Sequence, residues 1–232
     1  MASRFCKTFM MRSKLLSIVV LPLVALTGCQ QMERTGSAVG NFWNNLTGKT
    51  PLNAVKRMED PYFADERRAG VNELSAKPFG RGQPYTARYQ QIALTDKDFM
   101  VRVASIRALN RSRDASATSV FVRALDDENA LVRTEAVKAL SNLPDEAAIP
   151  KLIRMVNTVD EDRDVRIAAA GALKHYKRLD VARALISTLQ GRDFGVAWQS
   201  RNSLVEITSK SDLRYDETEW LQYVTGPEKP FG

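Results

Sequence analysis

Few side chains in this sequence are suited to catalysis or metal binding. The 232-residue chain has one histidine, His175, and two cysteines, Cys6 and Cys29. One histidine is too few for a histidine-rich metal site. Carboxylate clusters at 126–127 and 160–162 offer acid–base groups, but they fall between predicted helices, where we expect solvated charge. A triad of serine, His175 and an acid stays open, although no serine lies in a nucleophile-elbow context. We therefore expect no catalytic, cofactor-binding or metal-binding residues.

The first 28 residues have the layout of an export signal. Four Lys and Arg residues precede an apolar run of 12 residues, 15–26. Such a run matches the core of a signal peptide and is shorter than the roughly 20 residues that a membrane-spanning helix needs. The sequence then reads Leu26-Thr27-Gly28-Cys29, which resembles the lipobox of bacterial lipoproteins.

The lipobox resemblance implies cleavage before Cys29 and acylation of that cysteine. Residues 1–28 would then be a lipoprotein signal peptide, and residues 29–49 the lipidated cysteine and a polar tether. Gln30 follows the cysteine where Asp would favour the inner membrane, so the resemblance implies the periplasmic face of the outer membrane. The alternatives are an uncleaved N-terminal anchor and an ordinary signal peptide. A mature lipoprotein of this sequence would have no free thiol and no disulfide.

The net charge gives little support for nucleic-acid binding. The chain has 34 Lys and Arg against 27 Asp and Glu, a formal charge of +7. Four of those cations, and no Asp or Glu, lie in residues 1–28. The remainder is close to neutral, whereas binding to a phosphate backbone needs clustered Lys and Arg. We expect no nucleic-acid partner.

An internal repeat organises the rest of the chain. Related nine-residue segments end at leucines spaced by 35, 31, 33 and 31 residues, namely Leu74, Leu109, Leu140, Leu173 and Leu204. Apolar residues recur in each segment at the spacing of one helix face. A short polar residue precedes each of the last four helices as its predicted N-cap: Asp98, Asn129, Asp162 and Asp193. The alternative reading of these residues as calcium ligands lacks the Asp, Asn and Gly alternation of a calcium loop. A second helix-like stretch precedes each cap, so the unit is a helix–turn–helix.

The repeated pattern Asp-x-x-Val-Arg-x-x-Ala-x-x-Ala-Leu resembles the second helix of HEAT repeats, particularly the bacterial PBS-lyase HEAT-like form. The resemblance implies an all-α fold, a right-handed α-solenoid of about five helix pairs over residues 50–210. Residues 211–232 would form a C-terminal capping helix and tail, with Tyr215, Trp220 and Tyr223 covering the last repeat. A tetratricopeptide array is the nearest rival and fits the period less well.

One arginine recurs in each of the first four second helices: Arg67, Arg102, Arg133 and Arg166. We expect each to reach an Asp or a helix-end carbonyl of a neighbouring repeat, as is usual in the family resembled; the alternative is a basic ladder for an acidic partner. Trp198 occupies a position filled by Val103, Thr134 and Ile167 in other repeats. We expect Trp198 to pack under the C-terminal cap, with partner binding as the alternative. His175 follows the last leucine of its repeat, where we expect an exposed helix end.

The sequence predicts a non-enzymatic adaptor. A repeat array with little chemical inventory, joined by a polar tether to a predicted lipid anchor, favours a scaffold that binds another envelope protein through its concave surface. The alternative is a lyase-like or other enzyme acting on a small ligand, since cyanobacterial lyases share the repeat. The chain lacks the multiple His-Glu pairs of the di-iron hydroxylases that are also built from HEAT-like repeats. A purely structural role in the envelope is a third possibility.

Overall fold

The computed structural model describes residues 51–227 and 230–231. The signal peptide, Cys29 and the tether therefore lie outside the described residues. The described part is helical and contains no strand. Its α-helices are α1 (Pro51–Met58), α2 (Ala64–Ala76), α3 (Tyr85–Thr95), α4 (Phe99–Ser112), α5 (Thr118–Ala124), α6 (Ala130–Asn142), α7 (Ile149–Asn157), α8 (Arg163–Ala172), α9 (Leu179–Ile186), α10 (Phe194–Thr208) and α11 (Glu217–Thr225). Short 3₁₀ helices occupy Pro78–Arg81, Ala115–Ala117, Glu146–Ala148 and Leu173–His175.

The first ten helices form five consecutive pairs. The second helices α2, α4, α6, α8 and α10 each contact the next one in the series. The first helices contact their own partners, and α11 packs against α9 at the C-terminal end. The fold is an α-solenoid of five helix pairs with a C-terminal capping helix, which confirms the predicted architecture. Its handedness stays a prediction.

The recurring leucines lie in the core. Leu74, Leu109, Leu140, Leu173 and Leu204 are all at most 1 % exposed. The valine that opens each of the last four repeated segments is equally buried, as are most of the repeat alanines. Because alanine adds only a methyl group, neighbouring helices approach closely. The helices α1 and α2 approach closely at Gly70, where a Cβ would lie 2.3 Å from the amide nitrogen of Met58.

Side-chain caps begin the last four second helices. The carboxylate or amide oxygens of Asp98, Asn129, Asp162 and Asp193 each accept a hydrogen bond from one or two amides of the first turn. These amides have no acceptor within the helix, so the capping oxygen supplies one and fixes where the helix begins. The helix α2 differs, because Phe63 precedes it and Asp60 accepts from the amides of Tyr62 and Phe63.

The C-terminal cap is built around Trp220. Its side chain is fully buried, and its indole nitrogen donates to the carbonyl of Arg214 at 2.9 Å. Tyr215 and Tyr223 are partly buried against the same core. Burying an aromatic side chain of this size is among the larger apolar contributions available to a small domain. None of the described helices is long and apolar enough to cross a membrane.

Candidate protein-binding surface

Two arginines of the repeated pattern bind the following repeat through paired hydrogen bonds. Arg67 on α2 donates from Nε and an Nη atom to both oxygens of Asp96, each at 2.8 Å. Arg102 on α4 donates in the same manner to Asp127, again at 2.8 Å twice. A planar guanidinium matches a carboxylate in this fork geometry, which is stronger than a single contact. Each pair therefore clamps one repeat to the loop of the next.

The arginines also bind their own loops. Arg102 donates to the carbonyls of Asp96 at 2.9 Å and Lys97 at 3.3 Å. Arg133 donates to the carbonyls of Asp127 at 2.8 Å and Glu128 at 3.0 Å. Arg133 bonds Glu161 in the next loop with an Nη atom, while its buried Nε has no partner. Each of these two arginines thus joins a loop of its own repeat to a loop of the following repeat.

Arg166 differs from our expectation. It makes one long hydrogen bond, from Nε to the carbonyl of Val156 at 3.4 Å, within its own repeat. No described carboxylate pairs with it. The reason lies in the following repeat, because Gly191 stands two residues before its cap, where Asp96 and Asp127 stand in the earlier repeats.

The carboxylate clusters lie in the inter-helix loops, but our expectation of solvated charge there is wrong for two acids, Asp127 and Glu161. Asp127 and Glu161 receive the arginines just described, and their side chains are only 12 % and 13 % exposed. Asp126 accepts hydrogen bonds from Lys151 and Arg154. The repeat alignment placed these acids in loops without showing that the preceding repeat supplies an arginine to Asp127 and Glu161, and the following repeat two cations to Asp126.

The ion pairs of Arg67, Arg102 and Arg133 with acids in the next repeat form a series that we call the arginine ladder. This charge pairing shifts pKa values. Burial alone would raise the pKa of Asp96, but hydrogen bonds from Arg67 and from the Asp98 amide hold it below its usual value. Hydrogen bonding to Asp96 raises the pKa of Arg67, and hydrogen bonding to Asp127 raises that of Arg102. These directions mean that the folded state favours the charged forms of Asp96, Arg67 and Arg102, so these pairs stabilise the fold.

An open groove of about 870 Å³ crosses the exposed face of the second helices. We call it the second-helix groove. Its apolar and neutral lining includes Phe99, Leu131, Thr134, Ile167, Gly171 and Gln199. Its charged lining includes Arg107, Glu135, Lys138, Asp164 and Lys174. Glu135 accepts hydrogen bonds from Arg107 at 2.9 Å and Lys138 at 3.0 Å, so its negative charge is paired within the groove.

Exposed apolar side chains accompany this groove. Leu131 is 54 % exposed on the first turn of α6. Trp198 is 49 % exposed and does not belong to the hydrophobic core, so our expectation that it packs under the cap is wrong. Trp220 fills the space beneath the cap instead. Trp198 holds the repeat position of Thr134 and Ile167, which both line the groove; on α10 the lining residue is its chain neighbour Gln199.

A second cavity of about 1020 Å³ lies beside the first helices α7 and α9. Its lining includes Ile153, Leu179 and Arg183, together with Phe231 of the C-terminal tail. Phe231 packs against the core from there. Since the chain's own tail contributes to this cavity, the second-helix groove is the better candidate for a binding surface.

His175 lies at the exposed end of its repeat, in the 3₁₀ helix that follows α8. Partial desolvation, followed by the nearby charge of Lys174, lowers its pKa. Among the described residues no group of three or more His, Cys, Asp or Glu side chains is arranged to hold a metal ion. The surface features that stand out here are thus an apolar and charged groove and one incompletely paired arginine.

This architecture is that of a helical repeat scaffold. Residues 87–161 match the HEAT repeats family, and this match covers most of α3 and all of α4 to α7. This central stretch of the chain is therefore similar to HEAT repeats. No curated protein sequence matches the chain.

Solved structures share the fold. The chain is similar to the YibA protein of Escherichia coli, with 20 % identity, a TM-score of 0.56, and coverage of 72 % of this chain and 67 % of that one. It is also similar to human deoxyhypusine hydroxylase in complex with glycerol, with 19 % identity and a TM-score of 0.49 over 69 % of this chain and 62 % of the hydroxylase. At 20 % identity the first likeness shows the shared fold and no function. The second carries no argument about this chain.

Proposed function

We propose that this chain is a membrane-anchored, non-enzymatic adaptor that binds a protein partner in the bacterial envelope. The observation that carries the proposal is the second-helix groove with Leu131 and Trp198 half exposed beside it. Large apolar side chains without a core contact are typical of protein-binding surfaces, and tryptophan is prominent among the residues that dominate binding energy.

The groove suits a peptide or helix of a partner more than a small molecule. It is open, and it runs across several repeats, as the extended surfaces of stacked repeats do. Its charged residues are partly paired with one another, which leaves apolar contact and the remaining charges to select the partner. The alternative of an enzyme acting on a small ligand gains no specific support from the described residues.

The membrane anchor rests on the sequence. The lipobox resemblance and the position of Gln30 support acylation at Cys29 and attachment to the periplasmic face of the outer membrane. The finer assignment to a PBS-lyase HEAT-like lipoprotein rests on the same resemblance. Labelling cells with a radioactive fatty acid tests the anchor: we expect label on the wild-type chain and none on Cys29→Ser. Equal labelling of both would contradict the assignment.

Affinity capture from detergent-solubilised envelope tests the adaptor role. We expect the wild-type chain to retain a protein that the double variant Leu131→Glu and Trp198→Ala loses. The matched control is Leu52→Glu, because Leu52 on α1 is 62 % exposed and does not line the groove. If the wild type retains nothing that the double variant lacks, the proposed function is wrong.

A further inference from the structure

The junction between the fourth and fifth helix pairs lacks the acid that completes the ladder elsewhere. Asp96 and Asp127 stand two residues before the N-caps Asp98 and Asn129. Each accepts hydrogen bonds from an arginine of the preceding repeat. The corresponding residue before Asp193 is Gly191. In the fourth repeat Glu161, one residue before its cap, takes the same role. The residue at that place in the fifth repeat is Arg192, a cation.

Arg166 is therefore left with hydrogen-bonding capacity at a junction where the residue before the cap is the cation Arg192 instead of an acid. Its Nη atoms donate to no atom in the part of the chain that the structure describes. Arg192 is exposed and makes no hydrogen bond or ion pair with any described residue. Arg166 is also not among the residues with buried unpaired atoms, so its free donors face solvent. The junction does hold one ion pair, since Arg163 on α8 donates to the N-cap Asp193 at 2.9 Å, but Arg166 and Arg192 have no carboxylate partner among the described residues.

We propose that Arg166 and Arg192 bind a carboxylate of the protein partner, which completes the ladder from outside. This inference rests on the proposed adaptor function and names the chemistry of the partner: an acidic segment. The junctions at Arg67 and Arg102 show that this repeat position presents a guanidinium to both oxygens of a carboxylate. The carboxylate is therefore the anion for which the framework is already shaped.

Exposed apolar residues in the first turns of α10, just after Arg192, favour a protein over a free anion. Phe194, two residues after Arg192, is 69 % exposed, and Trp198 follows one turn later. An acidic segment with neighbouring apolar side chains would meet both kinds of group at the start of α10. Charge complementarity would then set its register, while the aromatic side chains supply buried area.

A defined peptide probe tests the inference without knowledge of the partner. The resonance of the Arg166 Nε–H group in the ¹⁵N-labelled full chain is followed during titration with hexaglutamate at low salt. We expect a saturable shift with hexaglutamate and none with hexaglutamine. The variant Gly191→Asp supplies an internal acid, and we expect it to weaken hexaglutamate binding by about tenfold, the scale of a lost charged hydrogen bond.

The control for Gly191→Asp is Gly191→Asn, which has the same size without the charge. A Cβ at residue 191 would lie 3.1 Å from the carbonyl of Thr188, so both side chains need the same small shift. We expect the Asn variant to bind hexaglutamate like the wild type. Equal weakening by Asn and Asp, or no response of Arg166 to hexaglutamate, would overturn the inference.

Further outcomes distinguish a carboxylate from other anions, and this inference from the proposed adaptor function. If inorganic phosphate or phosphatidylglycerol vesicles shift the Arg166 resonance more strongly than hexaglutamate does, the carboxylate assignment is wrong. If the envelope partner is still lost by the Leu131 and Trp198 double variant but is unaffected by Gly191→Asp, this inference fails and the adaptor function stands. If no partner is captured, the adaptor function fails whatever the peptide titration shows.

Discussion

Arg102 and Arg166 hold the same position in the repeated pattern, yet their surroundings differ. The Arg102 side chain is 7 % exposed and binds Asp127, Asp96 and Lys97 in two loops. Arg166 is partly exposed and makes one long bond within its own repeat. The two arginines are identical in the sequence pattern, and the difference comes from the loops they face.

This comparison shows that a ladder of this type depends on the acceptor more than on the arginine. Where the following loop places an acid before its N-cap, the arginine is held by a fork of hydrogen bonds. Where that loop carries Gly191 and Arg192, the arginine keeps its donors free. The first three junctions therefore contribute to stability, whereas the fourth is open to a partner. Four substitutions test this difference between Arg102 and Arg166.

Arg102→Ala has the largest expected effect. It leaves Asp127 buried and charged without its cation, which costs about 3–5 kcal/mol of unfolding free energy. Urea unfolding of the full chain, followed by circular dichroism, measures the loss. Arg102→Lys is the control, since it keeps the charge but not the fork, and we expect an intermediate loss. A loss for Arg102→Ala equal to that for Arg166→Ala would contradict the comparison.

Asp96→Asn comes next, with an expected loss of roughly 1.5–3 kcal/mol at neutral pH, because Arg67 then faces an uncharged amide. The folded-state pKa of Asp96 is lowered, so its stabilising contribution is present above the unfolded-state pKa of about 3.9 and lost as the pH falls through the folded-state value.

Urea midpoints measured from pH 7 down to acid check this dependence. We expect the wild type to lose stability below pH of about 4, and its difference from Asp96→Asn to narrow there. Asp160→Asn is the control, because Asp160 is exposed and makes no hydrogen bond or ion pair with a described residue. A constant difference between wild type and Asp96→Asn across the pH range would refute the pairing.

Gly191→Asp should raise stability by about 0.5–1 kcal/mol, the scale of a well-formed, partly exposed ion pair. The gain should vanish when Arg166 is replaced by Ala in the same chain, which a double-mutant cycle by urea unfolding measures. A gain that persists without Arg166 would show that the new acid does not complete the ladder.

Arg166→Ala has the smallest expected effect, less than about 0.5 kcal/mol, as for a surface substitution without a network partner. Thermal unfolding of Arg166→Ala, measured alongside Arg102→Ala, checks this expectation. A loss of several kcal/mol would mean that Arg166 is structural after all, and the fourth junction would then resemble the others.

The sequence predicted the helices and their stacking because the repeat is local and regular. The leucine period located the five second helices. The short polar residues predicted as N-caps stand immediately before the last four of them. Trp198 shows where pattern reasoning failed. Its repeat position was known, but its exposure depends on how α11 docks, and Trp220 fills the space beneath that helix.

His175 and the arginines show the same difference between what depends on neighbouring residues and what depends on distant ones. Position within the repeat was enough to expect His175 at an exposed helix end, because that expectation depends only on where one helix stops. The pairing of Arg102 with Asp127, and the lack of a carboxylate at Arg166, depend on residues 25 or more positions away. Helical periodicity and capping are local properties of a few neighbouring residues, so the sequence by itself determined the all-helical repeat. Contacts between loops of successive repeats form only when the helices stack, so tertiary structure alone decided which charges are paired and which face stays open.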